Sequence, residues 1–149
     1  MAAENSLLLP SEVFLDTSFV VALTVRDDAN HAAAQALSRA VRDAGAQLVT
    51  TEAILLEIGN TFSKLHLRGA AVTLNSALRG DPHVTVLPFT DELIARAWGL
   101  FGERPDKDWG VIDCLSFVVM TDLGITAALT ADIHFRQAGF TALLLSDAL

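Results

Sequence analysis

A single cysteine in 149 residues, ten basic residues against eighteen acidic ones, and no unbroken apolar stretch of membrane-spanning length exclude several classes of protein at once. Cys114 cannot form an intrachain disulfide. It falls in an apolar helical pattern, where a buried thiol is a better reading than a nucleophile, and a reducing cytoplasm suits such cysteine usage. The formal charge of −8 argues against a binder that holds nucleic acid by neutralising phosphates, which requires clustered Lys and Arg. It does not exclude RNA as a substrate. Acid gathered in one pocket would bind divalent cations, and these would reverse the local sign.

Residues 109–131, the most apolar later stretch, are interrupted by Asp113, Asp122, Gly110 and Gly124, so they read as buried helix, turn and strand and no membrane association is expected. Residues 1–11 lack a basic segment, and Leu7-Leu8-Leu9 is too short for a signal-peptide core, so no export is expected. There is no P-loop and no G-x-G-x-x-G, which leaves nucleotide-cofactor chemistry without support. No internal repeat or low-complexity linker divides the chain. With 52% hydrophobic and 19% charged residues, it suits one folded domain with a sizeable core.

What the chain does contain is organised around Val13-Phe14-Leu15-Asp16-Thr17-Ser18. Three β-formers end in a carboxylate, and two hydroxyl residues suited to capping precede the apolar segment 19–23. The pattern is strand, acid, helix. Further along, residues 30–44 carry Leu37, Ala40, Val41 and Ala44 at helical spacing and stop at Gly45. A second strand is expected at 47–50, capped into a helix from Glu52 to about residue 67. Gly69 breaks that pattern, and another helix covers 70–78. A third strand spans 84–87, an amphipathic helix 91–101, and a polar loop 102–108. A helix apolar nearly all round follows at 111–123 and ends at Gly124. A fourth strand at 125–130, a short helix at 132–138 and a last strand at 141–145 complete the chain. Strands alternating with helices imply a mostly parallel sheet covered on both faces.

Four acids stand out. Asp132 repeats the grammar of Asp16, with an apolar strand delivering a carboxylate just before a helix. If such strands are central and parallel, these acids stand at their carboxyl ends, where open α/β sheets place ligand sites. Asp113 lies on the apolar helix, where an unpaired ionised group needs a metal, a cation or a hydrogen-bond network. Glu57 shares a polar helix edge with Asn60, Thr61 and Lys64. Each also has a plainer reading: Asp16 and Asp132 as helix caps, Glu57 as a solvated residue. Their joint occurrence favours a site. Several carboxylates in one cleft raise each other's pKa values unless cations compensate, and a set poor in Cys and His suits Mg2+ or Mn2+ rather than structural zinc.

On these residues the chain resembles the PIN-domain family of metal-dependent ribonucleases. The similarity runs through Leu15-Asp16-Thr17-Ser18, Leu56-Glu57-Ile58-Gly59-Asn60-Thr61, the stretch from Asp108 through Asp113 to Phe117, and Leu129-Thr130-Ala131-Asp132-Ile133-His134-Phe135. It implies a three-layer α/β/α sandwich with a central parallel sheet in strand order 3-2-1-4-5, spanning residues 13–149 after an N-terminal extension of residues 1–12. It implies Asp16, Glu57, Asp113 and Asp132 as metal-binding catalytic acids. Ser18, Asn60 and Asp108 would stand around them, touching substrate or orienting ligands, although Asp108 also reads as the cap of its helix. Small members of the family are commonly toxins of toxin–antitoxin pairs, usually homodimeric, cutting RNA in the cytoplasm and blocked by a small antitoxin protein.

Other residues carry less. His134 follows Asp132 closely, but His31, His66 and His83 have no paired metal-ligand spacing; all four histidines read as structural or exposed, and Trp98 and Trp109 as packing residues. Lys64, Arg68, Arg104 and Lys107 could equally be phosphate contacts or ordinary solvated charge. The common phosphotransfer signature wants a second Asp two residues after the first, where this chain has Ser18. A housekeeping RNA-processing nuclease and a catalytically silent module of the same fold remain the alternatives.

Overall fold

Each of the first four strands is followed by helix, so the chain returns to the same edge of the sheet before the next strand begins and all pairings are parallel. The computed structural model describes residues 8–145. Strands β1 (Glu12–Leu15), β2 (Gln47–Thr51), β3 (Val84–Leu87), β4 (Ala127–Leu129) and β5 (Thr141–Ala142) form one sheet in the order β3-β2-β1-β4-β5. The register sets Phe14 between Val49 of β2 and Ala128 of β4. Val13, Phe14 and Leu15 are all buried, as a central strand covered on both faces requires.

The helices are α1 (Thr17–Thr24), α2 (His31–Ala44), α3 (Glu52–Thr61), α4 (Leu65–Gly80), α5 (Asp91–Glu103), α6 (Val111–Leu123) and α7 (Ile133–Gln137). Helix α1 packs on α2 and α3, and α3 on α4; separately, α6 packs on α5 and α7. That grouping is what right-handed crossovers produce when β1, β2 and β3 progress one way across the sheet and β4 and β5 the other. The result is the expected three-layer α/β/α sandwich. Gly45 and Gly124 end α2 and α6 in the left-handed conformation, at φ +64° and +68°, where an L side chain would be strained.

An aromatic cluster ties the layers together beneath the carboxyl end of the sheet. Phe117 of α6 meets Phe135 of α7 and Trp109 edge-on, both at 5.0 Å between centroids, and Phe135 lies 6.2 Å from Phe14 of β1. Trp109 also donates its indole N–H to Gln137 at 3.1 Å. The short α7 is thereby anchored to the central strand and to α6, which fixes the residues on its first turn. Trp98, by contrast, is 57% exposed and packs only edge-on against Phe101, so the packing role expected for both tryptophans holds for Trp109 alone.

The helix expected over 52–67 ends at Thr61. There the Thr61 hydroxyl donates to the Glu57 carbonyl at 2.8 Å, and Arg68 reaches back with two hydrogen bonds to the Ser63 carbonyl across the break. The apolar stripe Ile54, Ile58, Phe62 concealed that break because it continues in sequence to Leu65, which is 89% exposed. A new stripe of Leu67, Ala71, Leu74 and Leu78 packs α4 on the core, and Gly69 sits inside this helix rather than ending it. A helical glycine costs only about 1 kcal/mol, less than interrupting such a stripe.

The last two strands are shorter than expected. The Ile125 N–H is used to close α6 on the Met120 carbonyl at 2.9 Å, and Thr130 turns its hydroxyl to Asp16 at 2.7 Å. Of the N-terminal extension, residues 1–7 lie outside the described residues, as do residues 146–149 at the far end of the domain. Leu9 packs against the core, and the Ser11 carbonyl accepts the Gln47 N–H at 2.8 Å.

Candidate active site

Strands β1 and β4 are neighbours in the sheet but belong to opposite directions of winding, so a crevice opens beyond their carboxyl ends. Asp16 follows β1 there, and its N–H donates to the Leu129 carbonyl at the end of β4, at 3.2 Å. The Asp16 side chain, not Thr17 or Ser18, is the N-cap of α1. Its Oδ2 accepts hydrogen bonds from the Thr130 hydroxyl at 2.7 Å, the Ser18 hydroxyl at 2.9 Å and the Ser18 N–H at 3.4 Å. All three bonds converge on one oxygen. Ser18 Oγ in turn accepts the Ala131 N–H at 2.9 Å, and Thr130 Oγ1 accepts the Asp132 N–H at 3.0 Å. This knot holds the starts of α1 and α7 together.

Asp132 is the N-cap of α7, its Oδ1 accepting the His134 N–H at 2.9 Å. Asp113 stands in the first turn of α6, where its Oδ2 accepts the Gly110 N–H at 2.9 Å and the helix dipole favours its charge. The cap position of α6 is Gly110, and Asp108 is exposed, so the expectation that Asp108 caps that helix is not met. Glu57 is half-buried on α3, beside the buried Thr17 hydroxyl, which lowers its pKa without reaching full hydrogen-bond geometry. Asn60, one turn beyond Glu57, is exposed at the mouth of an apolar groove that Glu57 also borders.

Glu57 and Asp113 feel the charges of the other acids. Burial raises the pKa of Glu57 above its ordinary value of 4.5, and the charges of Asp16, Asp113 and Asp132 push it further the same way. Asp113 is raised chiefly by burial and then by Asp132 and Asp16, against the opposing pull of the Gly110 N–H and His134. Burial also raises Asp16, outweighing the hydroxyls that stabilise its ionised form. Four carboxyls distant in sequence thus share one rim of the sheet. The burial order differs from the sequence reading. Asp16 is almost fully buried, while the Asp113 side chain keeps 20% of its surface exposed. The helix is apolar all round, but its first turn opens on the crevice.

Residues 13–141 match the PIN domain family. The chain belongs to the PIN-domain family. Among its relatives is the 23S rRNA-specific endonuclease VapC20 of Mycobacterium tuberculosis, from strains H37Rv and CDC 1551, each 31% identical over 130 residues, covering 86% of this chain and 95% of the relative. The crystal structure of M. tuberculosis VapC20, described as a sarcin-ricin loop cleaving toxin, superposes with a TM-score of 0.77 at 30% identity, again over 86% and 95% of the two chains. The strand order and layers of this PIN domain are those expected from its motifs.

Two residues of the PIN-domain crevice escaped the sequence reading. Thr130 had no separate signal, because a hydroxyl at a strand end looks like any other. His134 stands two positions after Asp132, a spacing without meaning on a helix face, yet its Nδ1 lies 3.2 Å from Asp132 Oδ1 and 3.3 Å from Asp113 Oδ2. The donor set fits a divalent ion. Asp113, Asp132 and His134 offer ligand atoms within 4.8 Å of one another, a group that among the described residues does not include Asp16 or Glu57.

Proposed function

We propose that this PIN-domain protein is a Mg2+- or Mn2+-dependent endoribonuclease that hydrolyses RNA phosphodiester bonds, the toxin of a toxin–antitoxin pair. The observation that carries the reading is the grouping of Asp113, Asp132 and His134 at ligand distance, with Glu57 close enough to feel the charges of Asp16, Asp113 and Asp132. The relatedness to VapC20 over nearly that protein's whole length supports the substrate class and the toxin role.

Asp16, Asp113 and Asp132 would hold the ion, with Glu57 completing its shell or orienting a water. A divalent ion held there supplies a nucleophilic water at neutral pH and offsets charge on the phosphodiester under in-line attack. The chain's own groups then have defined tasks. Ser18 and Thr130 hold Asp16 in one rotamer through Oδ2. Glu57, with its pKa raised, is suited to accept a proton from the attacking water. Asn60, exposed on the groove that Glu57 borders, would touch the substrate, and exposed Asp108 would do the same rather than orient a ligand.

The apolar groove bordered by Leu56, Phe89, Ile94 and Trp98 opens beside Glu57 and suits burial in an antitoxin complex or a homodimer. No described helix is long and apolar enough to cross a membrane, and action on ribosomal RNA would place the protein in the cytoplasm. The test is incubation of the purified protein with ribosomes and with deproteinised RNA, with Mg2+, Mn2+ or chelator. A few discrete metal-dependent cuts, with 23S RNA among the targets, are expected. Intact RNA under all metal conditions would favour a silent module, and cleavage of many precursors without growth arrest on expression would favour a housekeeping nuclease.

A further inference from the structure

The position of His134 goes further than the general preference of a carboxylate site for hard cations. Its Nδ1 is buried and has no hydrogen-bond partner among the described residues, although two carboxylate oxygens lie within 3.3 Å. Both contacts are at ion-pair distance, yet neither has hydrogen-bond geometry, so the three groups crowd together without satisfying one another. That is the relation of adjacent ligands on one ion. With bonds of about 2.1 Å, neighbouring octahedral positions are ~3 Å apart, and each neighbour lies to the side of the other's lone pair. A second buried group at the same rim, the Thr17 hydroxyl beside Glu57, is likewise without a partner of good geometry.

We propose that His134 ligates the divalent ion through Nδ1, together with Asp113 and Asp132, and that this nitrogen makes the site favour Mn2+ over Mg2+. The inference rests on the metal-dependent nuclease reading and narrows it. Mg2+ demands oxygen ligands and keeps most of its waters, whereas imidazole is a good ligand for first-row transition ions. The local build supports a ligand role. Phe135, next in sequence, is fully buried against Phe14 and Phe117, so the backbone carrying His134 is held in place. The Asp132 carboxylate takes the His134 N–H, which keeps both residues on the same side of α7.

Pulsed electron paramagnetic resonance of the full chain loaded with Mn2+ alone tests this directly, because a coordinated imidazole imprints nitrogen hyperfine coupling on the manganese signal. The coupling is expected in the wild-type protein and should vanish in His134→Ala. In calorimetric titrations the same variant should bind Mn2+ about tenfold or more weakly while its Mg2+ affinity changes by less than about threefold. Manganese bound tightly without nitrogen coupling, or coupling that survives in His134→Ala, would overturn the proposal and leave the nuclease reading standing. An equal loss of affinity for both ions would reduce His134 to a structural role. A wild-type protein that binds neither ion would overturn the proposal and the metal-dependent reading together.

Discussion

Asp16→Asn is expected to lower RNA cleavage by at least ~10³-fold while leaving the protein folded. Asn keeps a carbonyl oxygen that can accept from Ser18 and Thr130, so the knot joining α1 to α7 survives the change. What disappears is the negative charge that the ion and the transition state require. Asp16 is the acid for which the two consequences separate most cleanly, because it is nearly fully buried. A charge taken so far out of water opposes folding when no cation offsets it. The metal-free Asp16→Asn protein should therefore be more stable than the metal-free wild type at neutral pH, by about 1 kcal/mol or more. For a chain of this size that is a rise in Tm of roughly 3 °C. Cleavage assays and thermal melts in chelator check both halves. Full activity in the variant, or a lower melting temperature, would count against the assignment.

The second large effect is the pH dependence of the metal-free protein. Asp16, Glu57 and Asp113 have folded-state pKa values raised above their ordinary values of 3.8, 4.5 and 3.8. Groups raised in this way bind protons more tightly in the folded state. Their contribution is complete below the ordinary values and is lost as pH rises through the raised ones. In chelator, melting temperature should fall as pH climbs from the ordinary carboxylate values through the raised ones. Mn2+ or Mg2+ should reverse that fall, adding about 2.7 kcal/mol at one hundred times the dissociation constant. The surface pairs Glu52–Arg79, Asp106–Arg104 and Asp122–Arg96 act in the opposite sense, since their carboxyl pKa values are lowered by the guanidinium partners. They are exposed and screened, so they limit the gain on the acid side without cancelling it. Identical pH profiles for wild type and Asp16→Asn in chelator would contradict this account.

Much of this was legible because the informative residues sit where elements change. Asp16 and Asp132 each follow an apolar strand and precede a helix, and parallel topology then places both at one edge. Glu57 was legible as part of a polar helix edge, though only the crossing of α3 over that edge gives it neighbours. The helix break after Thr61 was hidden by apolar spacing that runs through it, and Gly69 drew attention to the wrong place. Burial was misjudged for a related reason. Periodicity reports the average environment of a helix, while Asp113 lies in a first turn that opens on the crevice, and Asp16 is enclosed by Thr130, a residue 114 positions away. In sequence His134 follows Asp132 closely but reads as structural or exposed, because its meaning depends on Asp113, contributed by another helix.

The most direct measurement is anomalous scattering from crystals soaked in Mn2+ at a concentration that supports cleavage. The account predicts its strongest peak inside the crevice beyond β1 and β4, within bonding distance of Asp16, Asp113 and Asp132, with Glu57 ligating directly or through water. A peak elsewhere, or none, in crystals of protein that still cuts RNA would contradict it.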